Sequence, residues 1–192
     1  PTWFWDYDND GWQDLFVANG HLLPAIDRAG GGLRYRQRNQ LYRNLGNGRF
    51  REVSIDTSQS ARQVSRGAAY GDYDEDGDLD ILVCNLDAKP TLLRNDVPDK
   101  GHWIILALRS GDLEAVGARV FVDTGDQRQI REVQTGSSFQ SQSDTRLHFG
   151  LDSAIVADID IIWPGGQRQV FHAVPANNHY TIRRGVNRLI TE

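Results

Sequence analysis

The chain of 192 residues has no methionine, a single cysteine and six prolines. It also has no apolar run near the roughly 18 residues that span a bilayer as a helix, so no membrane span is expected. With neither a methionine nor a signal-peptide pattern, the sequence reads as a processed or excised piece. One cysteine, Cys84, cannot form an internal disulfide. Its setting, "DILVC", predicts a buried strand residue and not a reactive thiol. The 21 Lys and Arg residues form no run, so a nucleic-acid partner is not expected. Dinucleotide, P-loop, G-x-S-x-G and H-E-x-x-H signatures are all missing. The five histidines are dispersed without metal-ligand spacing.

Aspartate is present in excess, and it is concentrated. "DYDNDGWQD" at 6–14 and "DYDEDGDLD" at 72–80 hold ten of the 26 acidic residues. The remaining 16 acids are outnumbered by the 21 basic residues, so the formal charge of −5 belongs to two short loops. At an effective dielectric of about 20, two unit charges roughly 5 Å apart repel by about 3 kcal/mol. Such crowding calls for a cation at the centre.

The two loops match by position. Asp6, Asp8, Asp10 and Asp14 stand at places 1, 3, 5 and 9; Asp72, Asp74, Asp76 and Asp80 stand at the same places. Gly11 and Gly77 at place 6 permit a sharp turn. Place 7, Trp12 or Asp78, can offer its backbone carbonyl. All these ligands are oxygen, with none of the His or Cys expected for zinc or copper, so two calcium sites are expected. An EF-hand begins alike but needs Glu at place 12, where this chain has Val17 and Val83. Short β-type runs, "DLFVA" and "DILVC", follow the loops in place of helices.

The loops start 66 residues apart, which suggests a repeat. A strand precedes and follows each one. "QLYRNLGNGRFREVS" then predicts a hairpin, with strands near 41–44 and 49–54 around Asn47-Gly48. "TLLRND" echoes it once, without a second "GNGRF". Strand, loop, strand and hairpin resemble one propeller blade, followed by a blade lacking its outermost strand. Residues 20–39 form a long insertion with surface-loop composition, and His21 in it is the best single histidine candidate for function. From 102 onward seven strand-like runs, with a "WPGGQ" turn at 163–167, predict a small sandwich or barrel. The serine-rich "TGSSFQSQSD" reads as a polar loop, or else as a sugar-facing edge. Trp3, Trp5, Trp103 and Trp163 are expected to pack inside, while Trp12 could stack on a ligand or cover the calcium.

These motifs carry a resemblance. The two D-x-D-x-D-G-x-x-D loops in their strand contexts look like FG-GAP/VCBS repeats. "VANGHLLP" and "YRQRNQLYRNLGNGRF" look like the cartilage acidic protein family and its bacterial relatives. "VGARVFV", "SFQSQSDTRLHFGL", "IDIIWPGGQRQ" and "VPANNHYTI" are similar to the ASPIC/UnbV domain that ends those proteins. The resemblance implies an all-β chain: a partial β-propeller of about two calcium-loop blades, then a small β-sandwich-like domain. The expected boundaries are 1–98 for the repeats, with blades about 1–60 and 61–98, and 99–192 for the ASPIC/UnbV-type domain. It also implies calcium bound by Asp6, Asp8, Asp10, Trp12 and Asp14, and by Asp72, Asp74, Asp76, Asp78 and Asp80, with Trp12 and Asp78 acting through carbonyls.

The expected function is a non-enzymatic, calcium-binding interaction, adhesion or assembly module, extracellular, secreted or at the cell surface, with the periplasm as a variant. Its partner would be a protein or glycan. The alternatives are a carbohydrate-binding accessory module and, third, a hydrolase. Two repeats cannot close a propeller, so missing blades, another subunit or self-association should cover the open flanks.

Overall fold

A computed structural model describes residues 1–29, 31–55, 62–98 and 100–191. Gly30, the 56–61 segment containing the expected blade boundary near 60, Asp99 at the expected domain boundary, and Glu192 lie outside the described residues. No described residue is α-helical, and the protein is all-β.

The first sheet is a meander of β1 (Thr2–Trp5), β2 (Asp14–Val17), β3 (Gln40–Asn44) and β4 (Phe50–Val53), paired in that order. Period-2 alternation decides its faces. Trp3, Phe16, Leu41 and Val53 stand in one cross-strand row facing inward. Phe4, Leu15, Tyr42 and Glu52 form the neighbouring row on the outer face. The β3–β4 hairpin closes with the Leu45 N–H donating to the Arg49 carbonyl at 2.9 Å. Its tip is longer than a two-residue Asn-Gly turn, because Gly46 and Gly48 both take left-handed backbone (φ 70° and 78°).

The second sheet is β5 (Ser65–Gly71), β6 (Asp80–Asn85) and β7 (Thr91–Leu93), a three-stranded version of the first. Ala68, Ile81 and Val83 face the first sheet and share one core with Trp3, Trp5 and Phe16. Cys84 is exposed, contrary to the sequence reading. With Ile81 and Val83 turned inward, alternation sends Leu82 and Cys84 outward.

The insertion between β2 and β3 holds a short 3₁₀ helix, Pro24–Arg28. Its base is fixed to the second sheet by Arg66, which donates to the Gly20 and His21 carbonyls at 3.1 and 2.8 Å.

The tail contains β8 (His102–Ser110), β9 (Leu113–Glu114), β10 (Arg119–Asp123), β11 (Arg128–Glu132), β12 (Leu147–Asp152), β13 (Val156–Ile162), β14 (Arg168–Pro175), β15 (Asn178–Arg183) and β16 (Leu189–Thr191). The seven expected runs are β8, β10 to β15; the short β9 and β16 were not legible. One sheet has the order β12-β8-β15-β16, with β9 on β8, and the other β11-β10-β13-β14. Both are open. They enclose a single core around Ile104, Leu106, Val122, Phe149, Ile159 and Trp163. The Trp163 indole N–H is satisfied by Gln169 Oε1 at 3.0 Å.

The tail packs directly on the repeats. The Asp152 N–H donates to the Asn9 carbonyl at 2.8 Å, and Gly101 N–H to the Asp8 carbonyl at 3.2 Å. The serine-rich segment runs along the free edge of β5. Asp144 N–H donates to the Tyr70 carbonyl at 2.9 Å, and Ser141 Oγ to the Ala68 carbonyl at 2.7 Å. Its main visible role is therefore to cover a strand edge.

Candidate metal centres

Both Asp loops connect the first two strands of a sheet, and their backbones match. Place 4 is left-handed in each (Asn9 φ 58°, Glu75 φ 59°), as is the glycine at place 6 (Gly11 φ 83°, Gly77 φ 90°). The place-1 carboxylate accepts from the glycine N–H: Asp6 Oδ2 from Gly11 at 2.8 Å, Asp72 Oδ2 from Gly77 at 3.0 Å. At place 5, Asp10 accepts from Trp12 N–H at 2.9 Å and Asp76 from Asp78 N–H at 3.0 Å. At place 9 the carboxylate is held from two sides. Asp14 accepts from Tyr7 and Asn44 N–H at 3.1 and 2.7 Å; Asp80 accepts from Tyr73 and Asn95 N–H at 2.9 and 2.7 Å.

These contacts bring three carboxylates of each loop together. Oxygen atoms of Asp6, Asp8 and Asp14 lie within 4.8 Å of one another, as do those of Asp72, Asp74 and Asp80. Asp10 and Asp76 fall outside the groups, their carboxylates being used in the turn. The Asp78 carboxylate is buried and faces Lys100 and Asn9 Nδ2, the latter at 3.0 Å. Trp12 is 45% exposed beside Gly46.

One feature went unrecognised in the sequence. Arg43 contacts Asp8 and Asp10 at 2.9 and 3.2 Å, and Arg94 contacts Asp74 at 2.9 Å. The adjacent Asn44 and Asn95 hold place 9. The "YRN" and "LRN" echo was the available signal: it marks loop-supporting residues as well as a repeated strand.

Electrostatics separate the two groups. Burial, then the charges of Asp10 and Asp14, push the Asp6 carboxyl well above the usual carboxylate range. Burial and Asp10 raise Asp8, with Arg43 opposing. Burial lifts Asp14 to about 7. Asp72 and Asp80 are also raised, chiefly by burial. Asp6 Oδ1 and Asp8 Oδ1 are buried with no hydrogen-bond partner. Orphaned, all-oxygen acceptors among mutually repelling acids fit a hard divalent cation. The second loop has no such orphaned carboxylate oxygen among the described residues, so the fit is better at the first.

The duplicated loops, each between two strands of a small sheet, decide the family. A family profile for the FG-GAP-like repeat matches residues 6–83, and one for ASPIC and UnbV matches 109–188. The chain is an FG-GAP repeat protein with an ASPIC/UnbV domain. Neither match singles out the cartilage acidic proteins within this group. A search of curated proteins returned no match. FG-GAP repeats are typically extracellular, and no helix among the described residues is long and apolar enough to cross a membrane.

In this FG-GAP/UnbV protein the tail touches the second loop through histidine. His148 on β12 is buried, with Nε2 3.0 Å from the Gly77 carbonyl, and burial lowers its pKa to about 4. It is a neutral packing residue. His21, the histidine singled out from the sequence, accepts the Leu23 N–H through Nδ1 at 3.1 Å within the insertion.

Proposed function

We propose that the protein is an extracellular, non-enzymatic module that binds two calcium ions and serves interaction, adhesion or assembly. The observation that carries this reading is the pair of carboxylate clusters at the same three loop places, with orphaned oxygens on Asp6 and Asp8. Asp6, Asp8 and Asp14 would hold one ion, and Asp72, Asp74 and Asp80 the other. Asp10, Asp76 and the carbonyls of Trp12 and Asp78 complete the proposed ligand sets. Bound calcium would supply charge neutralisation and fix the loops on which the tail rests. A protein or glycan is the proposed partner.

A glycan reading is supported by one observation. Beside exposed Trp12 runs a groove of about 670 Å³ with Asn44, Gln127, Arg128 and Asp152 in its walls. An aromatic face among planar polar groups suits a sugar ring. A glycan screen tests it, with Trp12→Ala abolishing any true signal.

The calcium reading is tested by melting the protein in calcium and in chelator. A site held at 100 times its Kd adds about 2.7 kcal/mol, so Asp8→Ala should lower the Tm more in calcium than in chelator. Identical melting in both buffers would overturn the reading.

A further inference from the structure

The insertion between β2 and β3 borders a groove of about 340 Å³, with no residue of either Asp loop in its wall. The insertion's backbone is pinned where the groove forms. Gln37 and Gln63 make an antiparallel bridge, each N–H donating to the other's carbonyl, at 2.8 and 3.0 Å. Asn19 Nδ2 donates to the Arg38 carbonyl at 2.9 Å, and Asp27 Oδ1 accepts the Tyr35 N–H at 2.9 Å.

Arg34, Arg36, Arg38 and Arg62 line this groove, and all four are exposed. The bridge sets Arg38 beside Arg62, because residues flanking an antiparallel pair lie opposite each other. Like charges so placed repel. The one acid in the wall, Glu52, accepts from Gln40 Nε2 at 3.3 Å. Among the described residues none of the four arginines forms an ion pair; Arg36 donates to the neutral Gln63 Oε1 at 3.1 Å. Four guanidiniums thus share a fixed groove with one carboxylate. No Lys/Arg run marks this patch in the sequence, because Arg34, Arg36 and Arg38 alternate with other residues and Arg62 joins them from beyond β4.

We propose that the groove binds an anionic polysaccharide, whose sulfate or carboxylate groups the arginines hold. The inference rests on the glycan partner of the proposed function, and it gives that glycan a chemical class and a place. A guanidinium fork matches the planar or tetrahedral oxyanion bidentately, and all the cations in the wall are arginines. The wall has no aromatic residue on which bases could stack, which disfavours single-stranded nucleic acid. Gln37 Nε2 donates to the Arg34 carbonyl at 3.1 Å, which leaves the amide oxygen to accept from a sugar hydroxyl. An ionised acidic peptide side chain can only accept, so it cannot use that oxygen.

The test is calorimetric titration of the full chain with dextran sulfate, which carries sulfate alone, and with hyaluronan, which carries carboxylate alone. Neutral dextran, oligothymidylate and polyglutamate are run beside them. Saturable binding of at least one of the two anionic polysaccharides is expected, weakening as salt rises, with neutral dextran silent. The tighter of the two tells sulfate from carboxylate recognition. Arg38→Gln/Arg62→Gln should weaken binding at least tenfold, and Arg34→Gln, several-fold weaker, decides the matter if that pair does not fold. Arg184→Gln/Arg188→Gln, which removes the same charge from exposed positions on the tail, should leave the affinity unchanged. No saturable binding of either anionic polysaccharide, undiminished affinity in a folded groove variant, or equal binding of oligothymidylate or polyglutamate would overturn the proposal. A glycan signal lost in Trp12→Ala but kept in the groove variants would overturn it while leaving the Trp12 reading standing.

Discussion

The raised carboxyl pKa values should make the proposed calcium contribution to stability depend on pH in an unusual range. Asp14 is the anchor, since burial lifts it from 3.8 to about 7. In the unfolded chain this group ionises near 3.8; in the metal-free fold it keeps its proton until about 7. Between those values the native state binds more protons. Its stability is full below 3.8 and falls as pH rises through 7. At about 1.4 kcal/mol per pH unit, the ceiling is about 4 kcal/mol. Relaxation and solvent screening reduce it to roughly 2 kcal/mol. A divalent cation among these carboxylates favours the ionised form and removes that penalty. His148, lowered to about 4 by burial, has the opposite effect, because the unfolded state binds the extra proton below about 6.5. That contribution is common to both metal states and cancels in the difference. The measurement is therefore the Tm in saturating calcium minus the Tm in chelator, from pH 4.5 to 7.5. For a chain of this size about 2 kcal/mol corresponds to roughly 4–8 °C, and the increment should grow by that much. Ordinary carboxylates, already ionised at pH 5, would give a flat increment, and that result would refute the reasoning.

Two further predictions concern packing. Gly150→Ala would press a methyl group against the Asp6 carboxylate and within 2.5 Å of Asn9 Cα. It should destabilise the fold by about 1–3 kcal/mol and weaken calcium binding at the first loop more than at the second, read by denaturant melts and calcium titration. The outer sheet faces expose Phe4 and Phe50 on one side and Leu82 and Leu92 on the other. The isolated chain with calcium should self-associate in light scattering as concentration rises; a monodisperse monomer at high concentration would contradict this.

The strands were legible because their composition is local: "TWFW" and "DLFV" are short β-type runs whatever the rest of the chain does. The Asp loops were legible because spacing fixes which carboxylates curl together. What escaped was set by contacts that spacing does not show. Asp10 and Asp76 each turn one carboxylate oxygen to the N–H two residues on, at place 7. The support from Arg43 and Asn44 arrives from β3, across an insertion. Cys84 was misread because a short apolar run does not reveal which parity faces the core. The serine-rich segment could be read as polar, but its docking on β5 depends on the tail folding back over the repeats.

The central claim is that each Asp loop is a calcium site. Its most direct test is isothermal titration of chelator-stripped protein with calcium chloride, on wild type, Asp8→Ala and Asp74→Ala. The account predicts two equivalents for wild type and one for each variant. No saturable calcium heat in wild type, or two equivalents retained in both variants, would contradict it.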